Sequence, residues 1–471
     1  MVGLVGLICV VVGFGGQPPT LTAGVNEFVN VRAPDEAHNS PSIAVDPTDA
    51  STVVVAYRRD APRFGCAVSV SPNGGATWQP LDLTPALAAT DCFWPRVAFL
   101  DDGTLLVLYS PLGGPNLLPV SVWLQRYERL QPAGGPLQVA GDLSFWGRMA
   151  VAGDDVWVSW VQASGATADF QLGLAPGPNP VVVARSTDGG RTFAPPVTVS
   201  EPDRRVIQPS VLAGPDGLVV VGGLDLGDDE LNYQGNHDGQ TPPDPALRWQ
   251  VVAWTSTDGG VTFGPTVVVA GDLVVPQLII ADLGPTPGFA LDAPRRRLYA
   301  TYDAGRDDAR DVFVVRSDDG GRTWSEPVRV SPTRGEQVLP AVAVGPDGRV
   351  DVVFYDRAPD YLQATVVASS RDGGRTFQST TVSDNASDSR VGLGAQQGVP
   401  LQGDHLGALS LPDATLAFWA DTSRGTLVTN VQDLAVGRVE VDPGGGTLWA
   451  LIGVGLACVF AAAMLALVAR R

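Results

Sequence analysis

One eight-residue pattern recurs along this chain: STDGGRTF at Ser186, STDGGVTF at Ser256, SDDGGRTW at Ser317 and SRDGGRTF at Ser370, with SPNGGATW at Ser71 as a degenerate fifth copy. Asp or Asn followed by two Gly supplies the positive φ angles of a tight hairpin turn, and Thr plus an aromatic restart a strand. Upstream of each copy lies an apolar triplet with a small or aliphatic centre, and this triplet recurs seven times. It starts at Ile43, Val97, Met149, Val211, Phe289, Val342 and Gly407, at intervals of 52 to 78 residues. A turn and a strand ending in an aromatic follow in six of the units: Tyr57, Tyr109, Trp160, Tyr302, Tyr355 and Trp419. The fourth unit has Val219 to Gly223 instead. The pattern predicts seven units of four antiparallel strands, A to D, with the Gly-Gly turn joining C to D. That is the size and order of a propeller blade.

Composition agrees with a β-rich chain. Hydrophobic residues make up 44%, enough for a large core, and 55 Gly and 39 Pro supply turns. All 31 basic residues are Arg, against 50 acidic ones, a net charge of −19. So acidic a chain is not built for nucleic acid, because phosphate neutralisation needs an excess of cations.

The two ends read differently. Residues 447–469 carry no charge and are followed by Arg470-Arg471; at 1.5 Å per residue they match the ~30 Å hydrocarbon core of a bilayer. The expectation is a membrane-spanning helix over 447–471 with a cytoplasmic Arg pair, joined by a Gly-rich linker, 442–446, to a propeller over 25–441. Residues 1–24 hold an apolar run that reads as a secretory signal. The propeller would then lie outside the cytoplasm, in a single-pass cell-membrane protein. Cys66 and Cys92 are the cysteines left in the exported part, a candidate disulfide.

The eight-residue pattern resembles the Asp-box (BNR) repeat of sialidase-like β-propellers, over residues 25 to 441. The resemblance implies a ring of blades, six in the sialidases; seven units here is a departure, with six blades as the alternative. In that family the boxes are structural. Glu27 to Arg32 matches strand D and is expected to pair with the last blade and close the ring.

Up-and-down strands put the box turns on one face and the B–C and D–A loops on the other. The repeat breaks its own rule on the second face. Just before the triplet, units one, four and six carry Pro41-Ser42, Pro209-Ser210 and Pro340-Ala341, small residues suited to a crowded axis. Unit two instead has Trp94-Pro95-Arg96, unit three Trp146-Gly147-Arg148, and unit seven Asp404-His405-Leu406. Arg offers a rigid fork to a carboxylate, and Trp a flat wall to a sugar ring.

The resemblance further implies hydrolysis of terminal sialic acid, with three Arg on the substrate carboxylate, a Tyr–Glu pair as nucleophile and an Asp as acid/base. Arg96 and Arg148, with Arg58 or Arg390, supply a candidate triad; Glu336 is the candidate partner carboxylate, and Asp60 and Asp404 the candidate acids. The family's Arg-Ile-Pro signature is absent, and the last Tyr is Tyr361, before the closing unit. The acidic insertion offers Asp225, Asp228, Asp229 and Asp238 as oxygen ligands for Ca²⁺, in an order unlike an EF-hand. The expected function is recognition of carbohydrate or another acidic ligand at the B–C/D–A face, with sialidase-type hydrolysis as an extension. A membrane-anchored protein-interaction scaffold is the alternative. A glycan binder or hydrolase needs at least three Arg converging in one pocket beside an aromatic wall; a scaffold would show them paired with Asp of neighbouring blades.

Overall fold

The computed structural model describes residues 19–30, 36–84, 91–113, 118–119, 121–141, 143–163, 178–227, 248–274, 286–306, 309–333, 335–392 and 402–442. Residues 1–18 of the signal-like segment, 443–446 of the linker and the apolar C-terminal stretch lie outside these residues, whereas 19–24 and 442 are described and 20–23 and 442 belong to strands. Among the described residues no helix is long and apolar enough to cross a membrane.

The repeat dictates the architecture. Seven antiparallel sheets follow one another along the chain, so the ring has seven blades and the six-bladed alternative is excluded. The innermost strand A is Ala37–Asp46 in blade 1, Cys92–Phe99 in blade 2, Ser144–Ala152 in blade 3 and Val206–Ala213 in blade 4. It is Gly288–Asp292 in blade 5, Glu336–Val344 in blade 6 and Gly407–Ser410 in blade 7. Blade 7 takes its outermost strand from the other end of the chain: Thr20–Ala23 pairs with strand C, Asp433–Asp442, and Glu27–Phe28 pairs further along the same strand. The closing segment therefore starts earlier than the Glu27–Arg32 match predicts.

Every strand alternates side chains between two neighbouring blades, so the core lies between sheets rather than within one. Val54, Ala56 and Val68 of blade 1 meet Val97, Val107 and Tyr109 of blade 2 in one such layer. The box turns are self-contained. Ser186 Oγ accepts the Gly190 amide at 2.8 Å, and Asp188 accepts the Thr192 amide at 2.9 Å and its hydroxyl at 2.6 Å. These bonds hold the Asp188 carboxyl well below the usual range. The same bonds recur around Asp258 and Asp319. These aspartates are occupied by their own turns.

Cys66, in strand C of blade 1 (Gly65–Ser71), is disulfide-bonded to Cys92, with Cα atoms 5.7 Å apart. Cys92 opens strand A of blade 2 rather than sitting in the loop before it.

Candidate functional site

Strand A carries the device that builds the site. In five blades it breaks register at the same offset, three residues before the triplet, with a β-bulge. The residue there is left-handed and never Gly: Ser40 (φ 54°), Trp94 (49°), Trp146 (52°), Gln208 (51°) and Leu339 (55°). Bulges re-aim the side chains that follow, and left-handed non-glycine residues are strained. Beyond the bulge, the residue immediately before each triplet faces the axis. Around the ring these are Ser42, Arg96, Arg148, Ser210, Gly288, Ala341 and Leu406, and all seven line one axial cavity of about 320 Å³. Five of the seven positions are uncharged. The two guanidiniums stand next to each other, on blades 2 and 3.

Neither Arg96 nor Arg148 has an ion-pair partner among the described residues. Arg148 donates to the Gly147 carbonyl at 3.2 Å, and the Nε of Arg96 is buried without any hydrogen bond. Arg96 is 9% exposed. Desolvation, then the facing Arg148, pushes the Arg96 guanidinium well below its usual range. Desolvation also lowers Arg148, to about 10, against the pull of Asp404. Each cation is held there at a desolvation cost that an anion would offset.

The third arginine is different. Arg58, near the end of strand B of blade 1 (Asp49–Ala61), is buried and donates to Asp60 Oδ2 at 2.9 Å and to Asp404. Its guanidinium carbon sits 4.2 Å from the centre of the Phe93 ring. Asn39 binds the same Asp60 oxygen at 2.8 Å, so Asp60 is a buried counter-ion and not a free acid. Asp404 lines the cavity with one side held by Arg58. His405 reaches across the small Pro41-Ser42 of blade 1 to Arg96, Nε2 to Nη1 2.7 Å.

Trp146 lines the cavity, whereas Trp94 is 2% exposed and packs behind it, ring centres 5.5 Å apart. The pair gives one aromatic wall rather than two. Glu336 and Arg390 are not in the lining: Glu336 opens strand A of blade 6 and pairs with Arg357 at 3.3 Å, and Arg390 pairs with Asp388 at 2.7 Å and covers Tyr361. No Tyr or Glu among the described residues lines the cavity. Tyr302 and Tyr355 are packing residues; burial pushes the Tyr302 hydroxyl up to about 12. The opposite wall, Gln208, Thr286, Pro287 and Phe289, was not singled out from the sequence. The offset that identifies Trp94 and Trp146 also picks out Gln208 and Thr286.

Asp225 of the proposed Ca²⁺ set pairs with Arg204 at 3.2 Å. Asp228, Asp229 and Asp238 lie outside the described residues, among which no metal-ligand cluster is found.

No family model matches the chain. A sialidase of Micromonospora viridifaciens is 30% identical over 275 residues, covering 53% of this chain and 40% of the relative. The match thus spans less than half the length of that protein. Among solved structures, a Dyadobacter fermentans protein of unknown function superposes at TM-score 0.47 and 15% identity, over 89% of this chain and 99% of its own. A Hadza microbial sialidase does so at TM-score 0.44 and 15% identity, over 86% and 65%. Over the stretch matched by the Micromonospora protein the chain, a seven-bladed propeller, is similar in sequence to a sialidase.

Proposed function

We propose that the axial cavity binds an acidic sugar unit through Arg96 and Arg148, and that the chain recognises carbohydrate without hydrolysing it. One observation carries the reading: two adjacent guanidiniums line the axial cavity without an ion-pair partner among the described residues, while the carboxylate of the lining, Asp404, is paired with Arg58. Enclosed charges without partners cost several kcal/mol, which a ligand carboxylate would offset. The volume, about 320 Å³, is at the small end of ligand sites, roughly 300–1,000 Å³, and suits a single sugar ring against Trp146. The relative that is a sialidase supports an acidic sugar as the ligand class.

Binding is favoured over hydrolysis by the carboxylates. Glycoside hydrolysis generally uses a carboxylate pair or, in sialidases, a Tyr nucleophile. Here Asp404 is the carboxylate in the lining, it is tied to Arg58, and no Tyr joins it among the described residues. The scaffold alternative would have Arg96 and Arg148 paired with Asp of neighbouring blades, as Arg58 of blade 1 is with Asp404 of blade 7.

The test is titration of the full-length chain with methyl glycosides of glucuronic acid, N-acetylneuraminic acid and uncharged glucose, alongside fluorogenic sialosides. Saturable binding of an acidic glycoside, lost in Arg96→Met and Arg148→Met, and no turnover, is the expected result. Turnover would replace the binding reading with an enzymatic one; binding that survives both substitutions would move the site.

The same reading has the ring outside the cytoplasm. The Cys66–Cys92 disulfide supports it, since such bonds persist in oxidising compartments. Protease shaving of intact cells checks this; a protected propeller would contradict it.

A further inference from the structure

We propose that ligand binding at the axial cavity is coupled to uptake of one proton by His405, so that the site holds acidic sugars more tightly as the pH falls. This rests on the reading of Arg96 and Arg148 as an anion site and concerns how that site is regulated.

The geometry around His405 fixes the starting state. Arg96 has only donors, so in the 2.7 Å contact its Nη1–H donates and His405 Nε2 accepts. The imidazole is therefore neutral, with its remaining proton on Nδ1, which is buried without a hydrogen bond. Protonating Nε2 would set one N–H against another. Desolvation by burial acts against a positive imidazole, and so do three guanidiniums, Arg96 of blade 2, Arg148 of blade 3 and Arg58 of blade 1. On the opposing side are Asp404, next to it in the chain, and Asp60, and Arg58 already occupies both. His405 is thus held below its ordinary range for reasons visible in its neighbours.

An incoming carboxylate changes both terms. Engaging Arg96, it draws Nη1–H away from Nε2 and brings a negative charge next to the imidazole. Nε2 is then free to take a proton from solvent and donate it to the ligand. The sign follows from linkage. A group whose affinity for protons rises on binding takes one up, and affinity then increases as pH falls between its two pKa values, by at most about tenfold per pH unit. The sugar carboxylate, titrating near pH 3.5, stays ionised across that window. His38, the other described histidine, faces Glu36 at 3.2 Å and is not in the cavity lining.

Titration calorimetry of the full-length chain with the methyl glycosides of glucuronic and N-acetylneuraminic acid, at about pH 7.5 and about pH 5.5, measures the coupling. Two buffers of different ionisation enthalpy count the protons. The expected result is an affinity about tenfold higher at the lower pH, with proton uptake approaching one per ligand in the intermediate range. In His405→Gln, whose side-chain oxygen still accepts from Arg96, the pH slope and the uptake disappear, whatever the absolute affinity. Flat affinity with no proton uptake in the unmodified chain, or an unchanged slope in the variant, overturns the inference and leaves the anion site standing. Failure of both acids to bind at either pH overturns the site itself, and this inference with it.

Discussion

Arg96 is the residue at which stability and function oppose each other. Buried groups usually find partners, and its Nε has none while its charge faces Arg148. Replacing it by Met keeps much of the volume and removes the enclosed charge. The expected outcome is a chain more stable by about 1–3 kcal/mol in chemical denaturation, which no longer binds acidic sugars. A destabilised Arg96→Met variant would mean that the guanidinium is structural. The pair was legible in the sequence because two neighbouring units departed from small residues at one offset. Its lack of an ion-pair partner among the described residues was not, since pairing depends on which of 50 acids the fold brings close. Asp60 illustrates the limit. Its loop position suggested an available acid, and only the fold shows Arg58 and Asn39 holding it.

At the scale of the element, strand B of blade 4 (Val219–Asp225) shows how tightly neighbouring blades pack, at Gly222, one residue before the position where the other units carry their aromatic. A Cβ on Gly222 would sit 2.4 Å from the Phe289 ring of blade 5, so Phe289 fills the space that a side chain would have taken. Gly222→Val restores a strand-forming residue, yet overpacks this contact; a loss of about 1–3 kcal/mol is expected, read as a lower denaturation midpoint. Equal or greater stability would show that the two blades can separate freely at this point. Periodicity revealed the strands because alternation and Gly-Gly turns are local signals. The bulge at Trp94 and Trp146 was not legible, because no residue type announces a left-handed conformation outside Gly and Asn. That bulge is also why Trp94 turns into the wall behind Trp146 and leaves one aromatic surface on the cavity.

At the scale of the whole molecule, the ring is held by its closure. Thr20–Ala23 completes blade 7, and a buried ion pair fastens blade 6 to it. Arg349 donates to Asp351 at 3.0 Å and to Ser410 Oγ at 3.0 Å, and to the carbonyls of Leu411 and Ala414 at 2.8 Å. Removing one partner of such a network leaves the other charge buried. Arg349→Met should therefore cost about 3–5 kcal/mol, in contrast to the gain expected for Arg96→Met, although both remove a buried arginine. Equal effects of the two substitutions would erase the distinction between a paired cation and an unpaired one. Blade number and strand order followed from counting repeats. The site followed only in part, since it assembles one position from each of seven units and a B strand besides. The most direct measurement of the central claim is a crystal structure of the chain with a bound acidic methyl glycoside. The carboxylate is expected in the axial cavity, within about 3.2 Å of Arg96 and Arg148 nitrogens, with the sugar ring against Trp146. A carboxylate bound elsewhere, with both arginines unchanged and the cavity unoccupied by sugar, would contradict it.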